Sequence, residues 1–361
     1  MTRLAVGSYT AVSGGHGAGV TVLELDVARG TASVVQVLEA DDPSFLVVAD
    51  GALHAVAETT EGRVLSWTAG PGTAPPDATW TPGATAASGG ASPCHVAHDP
   101  ASGALVVSAY VGGTVGVLPT GPVTADAPPR VTRTLALPAG SGPVHDRQGA
   151  PHAHQAVPTP WGTLLVGDLG TDRLHEVRVD PATLEPTLVA SHELPAGSGP
   201  RHVDLLVGGG AGGAGGAGGD VRVVVAGELD GRVHVLRSEG AALVLDHSVP
   251  VFEGGGTPPD VLLSHLEVHG GRVYVATRGR DTVSVLEPRG DDGRLGLTAE
   301  VPCGGAWPRH FAIVDGHLVC ANQESGTVTW APLDPRTGVP GDVTGSIALG
   351  SPACVVVLPP A

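Results

Sequence analysis

The chain has 361 residues, 42% of them hydrophobic, and a formal net charge of −17 at pH 7. The apolar share supports a sizeable core. The acidic balance lacks the basic field of a nucleic-acid binder, so no nucleic-acid partner is expected and any bound anion needs a local arginine cluster.

In chain order, the N-terminal MTRLAVGSYT has no long apolar segment of the signal-peptide kind, and no run approaches the ~18 residues that span a bilayer. A cytoplasmic protein without a membrane partner is expected. LAVGSYT, GVTVLELD and ASVVQVLEA read as three strands by their alternation of apolar and polar residues. From Pro43 a unit recurs that opens with a proline, a small or polar residue and an apolar run. The copies are Pro43-Ser-Phe, Pro93-Cys-His, Pro151-His-Ala, Pro200-Arg-His, Pro308-Arg-His and Pro352-Ala-Cys, with Ser264-His265 as a degenerate copy. Successive prolines lie 50, 58, 49, 108 and 44 residues apart, and the degenerate copy divides the 108.

Each copy continues through a Gly/Asp turn into a second strand: ALHAVAE, ALVVSAY, TLLVGDL, RVVVAGEL, RVYVATR and HLVCANQ. Third strands such as GTVGVL and GRVHVL follow, then looser fourth strands such as TLVASHEL and LVLDHSV. The 55 glycines and 32 prolines, without a collagen period, fit many turns between short strands. Four antiparallel strands in a unit of this size make a β-propeller blade. The C-terminal SPACVVVL supplies only a first strand, and the N-terminus supplies strands two, three and four. The prediction is an all-β, seven-bladed propeller, a single domain over residues 1–361. Its ring is closed by one C-terminal and three N-terminal strands, which removes an open sheet edge.

The run GGGAGGAGGAGG, Gly208 to Gly219, contains matches to the dinucleotide fingerprint GxGxxG. That motif needs a helix to follow, whereas Asp220 opens a strand, so the run reads as a flexible extension of a turn in blade four. Cys94, Cys303, Cys320 and Cys354 show no CxxC spacing and read as buried free thiols of a reducing compartment.

In a propeller the first strands line the central channel, and the entry ends of first strands share one face with the exit ends of second strands. The entry ring is then Ser44, Cys94, His152, Arg201, Ser264, Arg309 and Ala353. The exit ring is Tyr9, Glu58, Tyr110, Asp168, Glu228, Arg278 and Gln323. Arginines at one mouth can bind carboxylate or phosphate in bidentate fashion. Histidines titrate near neutral pH, and Glu228 can accept a proton or orient an arginine. Bland roles compete with these. His95, His202, His265 and His310 share a register position that fills blade interfaces, and Arg201 and Arg309 can tie blades together as ion pairs. His152-Ala-His154 places two rings on one strand face, as metal ligands often are, but brings no cysteine and no local carboxylate.

GSGPVHDRQGAPHAHQ, VGDLGTDRLHEVRVD, LPAGSGPRHV, GEL and CANQESGTVTW resemble the lactonase family of seven-bladed propellers, and the likeness runs from VGSYT to SPACVVV. That family includes propeller-type 6-phosphogluconolactonases and fungal 3-carboxy-cis,cis-muconate lactonising enzymes. The resemblance implies no metal, no cofactor and a site at the channel mouth. It implies catalytic roles for His152 or His154, Arg201, Glu228 and Arg278, and places Asp146, Arg147 and Gln148 in a loop before the histidine pair. Arg309, Arg147, Gln148, Asp168 and Gln323 are the expected substrate-binding residues. Thr277-Arg278 departs from the family's usual Asn-Arg. The implied activity is hydrolysis of an anionic sugar lactone, 6-phosphogluconolactone of the pentose phosphate pathway. Arg201, Arg278 and Arg309 would hold the phosphate and the oxyanion, and His152, His154 or Glu228 would activate water. Alternatives are cycloisomerisation of a carboxylated cis,cis-muconate and a non-enzymatic scaffold. A calcium-dependent lactonase is poorly supplied, since Asn322 is the chain's one asparagine. A monomer or weak homo-oligomer is expected.

Overall fold

The computed structural model describes residues 1–70, 79–121, 130–207, 221–253, 260–290 and 292–359; the expected turn extension at 208–219 lies outside them. Seven antiparallel sheets form, each built on a path of four strands. The first strands are Phe45–Ala49, Pro93–Asp99, Ala153–Pro158, Pro200–Val207, Leu262–His269, Pro308–Val314 and Pro352–Val357. We number the blades one to seven in that order. Blade one carries an extra two-residue strand, Ala86–Ala87, paired with Arg63–Ala69. In blade seven the C-terminal strand pairs with Thr2–Ser8, from Leu4 opposite Val357 to Ser8 opposite Pro352, which closes the ring as expected.

Second strands are buried on both faces because each blade is packed between two others; Ala104–Ala109 has no exposed residue. Fourth strands lie outermost, and Thr31–Leu38 is mostly exposed. The core is divided among the interfaces. One apolar cluster joins blades four and five through Leu206, Val224, Leu263 and Val275, and six others join the remaining neighbours. Each buried Val or Leu stabilises its interface by about 1.5–3 kcal/mol.

A single irregularity recurs where the first strand begins. In six blades the pairing with the second strand slips, leaving one or two first-strand residues without a direct partner. They are Cys94, His154 and Gln155, Arg201 and His202, Ser264 and His265, Arg309, and Ala353. A β-bulge breaks the strict alternation of side chains and re-aims them. Here it turns residues at the inner edge of the ring toward the mouth and the axis.

Candidate active site

The bulge positions correct the columns expected from sequence. Ala153 pairs with Asp168 as Pro200 pairs with Gly227, so His154, not His152, matches Arg201. The amides of Glu58, Tyr110, Leu169, Glu228, Gln323 and Tyr9 donate to the carbonyls of Asp42, Ser92, His152, Gly199, Trp307 and Ser351. Leu169 therefore holds the exit position that was assigned to Asp168. His152 lies one step upstream on the rim.

Glu228 is the centre of one half of the mouth. Its Oε2 lies 2.9 Å from Arg201 Nε and 2.9 Å from Arg278 Nη2, and its Oε1 accepts from Arg147 Nη2. Burial pushes the Glu228 carboxyl up, but Arg278, Arg201 and Arg147 outweigh it and hold the group well below the usual carboxylate range. Burial and the neighbouring Arg278 pull Arg201 down to about 9, so it remains cationic at neutral pH. The Nε–H groups of both Arg201 and Arg278 are buried and aimed at no acceptor, although Arg201 Nε is close to the carboxylate. Three guanidinium groups around one carboxylate leave a surplus of positive charge.

His152 stands beside this cluster. Its ring stacks on Tyr110, with centroids 4.3 Å apart and planes 6° from parallel. Its Nδ1 lies 2.8 Å from the Tyr110 carbonyl, which can only accept, so Nδ1 carries a proton and the neutral ring has its lone pair on Nε2. Tyr110 in turn bonds Arg147, which links His152 to Glu228. A Cβ on Gly170 would meet the Ala150 carbonyl at 1.8 Å and the His152 ring at 3.0 Å, so only glycine lets the ring sit there.

His154 is placed differently. It lies inside the channel among Phe45, His95, His202, His265 and His310, whose rings meet across the axis. The expectation that these histidines fill blade interfaces gives way to a central hub, because the bulge turns them inward. Burial, reinforced by Arg201, holds His154 well below its ordinary value and keeps it neutral.

The other half of the mouth is charge-balanced. The Arg309 guanidinium packs 4.8 Å from the Tyr9 ring centroid, bonds the Tyr9 hydroxyl, and is 3.9 Å from Glu58. Tyr9 also donates to Glu58 at 2.7 Å. A cavity of about 400 Å³ opens there, lined by Tyr9, Ser13, His16, Arg309, Gln323 and Glu324. The Gln323 Oε1 is buried without a partner. A larger cavity of about 870 Å³ beside blade one carries Glu39, Asp41, Asp42, Glu58 and Glu61, a lining that repels anions.

Asp168 and Gln148 were expected to touch substrate, and the structure corrects both. Asp168 is fully buried. Its oxygens accept from the His152 amide at 2.7 Å, the Gly170 amide at 3.0 Å, the Thr171 hydroxyl at 2.6 Å and His175 Nε2 at 3.2 Å. Gln148 donates to the Leu169 carbonyl and to Asp172, and accepts from the Val144 amide. Asp168 has no capacity left, Gln148 is wholly buried, and both position the His152 loop. Sequence reasoning passed over Asp172, which also accepts from the Gly197 and Gly199 amides and so braces the turn before Arg201. It also passed over the rim position of Trp307, whose proximity to Arg278 arises from packing between blades. Among the described residues no group of three His, Cys, Asp or Glu side chains is arranged to hold a metal ion.

Comparison with known proteins points one way. A family model described as "Lactonase, 7-bladed beta-propeller" matches residues 3–357. A 6-phosphogluconolactonase of Bacillus subtilis is 29% identical over 277 residues, 74% of each chain. The periplasmic gluconolactonase of Pseudomonas aeruginosa superposes with a TM-score of 0.83 at 25% identity, over 100% of this chain and 99% of its own. A protein of Bacteroides fragilis shares the fold with a TM-score of 0.83 at 23% identity, over 99% of this chain and 98% of its own.

Proposed function

Because the chain belongs to the lactonase family of seven-bladed β-propellers, we propose that it hydrolyses an anionic sugar lactone, 6-phosphogluconolactone, with His152 as general base. The observation that carries this is the placement of His152, held through Nδ1 on the Tyr110 carbonyl, beside three guanidinium groups that share one carboxylate. Nε2 takes a proton from water as its oxygen attacks the lactone carbonyl. The carbonyl oxygen becomes an oxyanion, and buried Arg201 and Arg278 stabilise it. Collapse of the tetrahedral species breaks the bond to the ring oxygen, which leaves with the proton from the imidazolium. Water is added and the ring opens to the acid.

Charge placement assigns the remaining groups. Arg147 has a side chain 33% exposed and faces solvent, so it takes the phosphate. Arg309 is balanced by Glu58, and with Gln323 it suits the sugar hydroxyls. The 29% identical Bacillus subtilis relative supports the choice of substrate.

Time-resolved hydrolysis of freshly prepared 6-phosphogluconolactone, with spontaneous opening subtracted, tests the reading. His152→Gln is expected to lower kcat by about 10²-fold or more, the usual share of a general base. A wild-type rate equal to background would sink the proposal.

A further inference from the structure

One repeat position carries a ring in two described blades. It is the residue whose carbonyl accepts the exit-ring amide: Asp42, Ser92, His152, Gly199, Trp307 and Ser351. In five of these blades it precedes a proline and has positive φ: 43° at Asp42, 50° at Ser92, 61° at Gly199, 62° at Trp307 and 33° at Ser351. Glycine adopts that region freely and short polar residues tolerate it, whereas a bulky aromatic there is a genuine outlier. Blades with Asp, Ser or Gly form the same turn, so the turn itself does not require Trp307. Strain of this kind collects at functional sites.

The side chain lies at the rim of the mouth, beside the arginine cluster. Trp307 is partly exposed at the rim, and its amide donates to Asp281 at 2.7 Å. The Arg278 guanidinium lies 5.5 Å from its ring centroid. Its counterpart His152 stacks on Tyr110, the exit residue of the preceding blade; Trp307 covers Arg278, also the exit residue of the preceding blade. The two rings thus flank the Glu228–arginine cluster of blades four and five from opposite sides.

We propose that Trp307 is a specificity-determining residue that stacks on the sugar ring of the bound lactone, so the site selects cyclic anionic lactones over open-chain anions. The idea rests on the lactonase reading and extends it. An indole face accepts the C–H face of a sugar ring, while the guanidinium under it serves the anionic or polarised oxygens of the same molecule.

Two variants test it. Trp307→Ser restores the residue type of blades two and seven; Trp307→Phe keeps a ring. Trp307→Ser is expected to raise KM for 6-phosphogluconolactone by about two- to tenfold, the span of an aromatic stacking contact. Its thermal midpoint is expected to equal or exceed wild type, and Trp307→Phe to stay within about twofold of wild-type KM. An unchanged KM for Trp307→Ser would overturn stacking and leave the lactonase reading standing. If Trp307→Ser fails to fold, Trp307→Phe is judged by tryptophan fluorescence during titration with glucose 6-phosphate, a cyclic sugar anion with no lactone bond to open. A ligand-induced change in wild type that is absent from Trp307→Phe supports stacking, and an identical change in both overturns it. The same titration decides the matter if wild type hydrolyses no lactone, an outcome that would sink the lactonase reading on its own.

Discussion

Glu228 is surrounded by three guanidinium groups, and that environment sets its role. A carboxylate held well below its ordinary range gives up no useful basicity at neutral pH. Its work is to gather Arg147, Arg201 and Arg278 into one cluster. Removing it leaves buried positive charges facing one another, so Glu228→Gln is expected to cost about 3–5 kcal/mol of stability, read by urea denaturation, as breaking a buried pair does. Arg201→Ala should lower kcat more than it raises KM, by about 10²-fold, if its donors act on the oxyanion. Single-turnover rates separate the two parameters; a pure KM effect would move Arg201 to ground-state binding. His154→Phe, which copies the ring of Phe45 in the same hub, should retain most of kcat, whereas His152→Gln should not.

At the scale of elements, the bulge decides what each first strand presents. Without it Arg201 and His202 would face opposite sides of the sheet; with it one reaches the mouth and the other the axis. The hub that results is acid-sensitive. Burial, with neighbouring His310 and His265, pushes His95 down to about 3, and burial with Arg201 does the same to His265. Unfolded histidine takes its proton near pH ~6.5. Below that pH the unfolded chain binds protons that the native hub refuses, so stability falls with pH until the native values near 3 are reached. Each such histidine removes about 1.4 kcal/mol per pH unit in that window. Thermal melts should therefore be level from about pH 7 to 8 and drop steadily from pH ~6.5 downward. His95→Phe should make the drop shallower, since the Nδ1 of His95 has no partner to lose. Equal midpoints at pH 7 and pH 5 would refute a neutral hub. Blades three and four add a different polar device. His175 bonds both Asp168 and Ser191, and His234 bonds Ser248 through Nδ1 with its Nε2 3.1 Å from Asp230. The His Nδ1–Ser contact recurs at the same place in adjacent blades, which marks it as a tie between strands.

For the molecule as a whole, stability is spread over seven blade interfaces and depends on closing the ring. Pro352–Val357 both completes blade seven and covers the inner edge of Thr2–Ser8. Removal of residues 351–361 would expose that edge and two apolar interfaces at once. We expect loss of the cooperative transition in circular dichroism melts and association through the freed edge in size-exclusion chromatography. A truncated chain that melts as wild type would show that closure contributes little. The charge of the molecule is also uneven. An acidic cavity lies beside blade one and the arginine surplus lies on blades three to five, so the field at the mouth is negative on one side and positive on the other.

The repeated prolines and alternating strands determined the propeller, its seven blades and its closure, because both signals are local and recur along the chain. The charged residues that meet at the mouth were legible too, since only a few columns face it and arginine at Arg201 and Arg309 is conspicuous against small residues at Ser44, Cys94 and Ala353. Tertiary structure alone decided the register at the inner edge. A bulge is a mismatch between two strands, written in neither of them, and it moved Leu169 into the place given to Asp168, set His154 in the hub and left His152 on the rim. It also took contact between separate blades to bring Tyr110 under His152 and Arg278 under Trp307, because those pairs are made across interfaces that no single repeat contains.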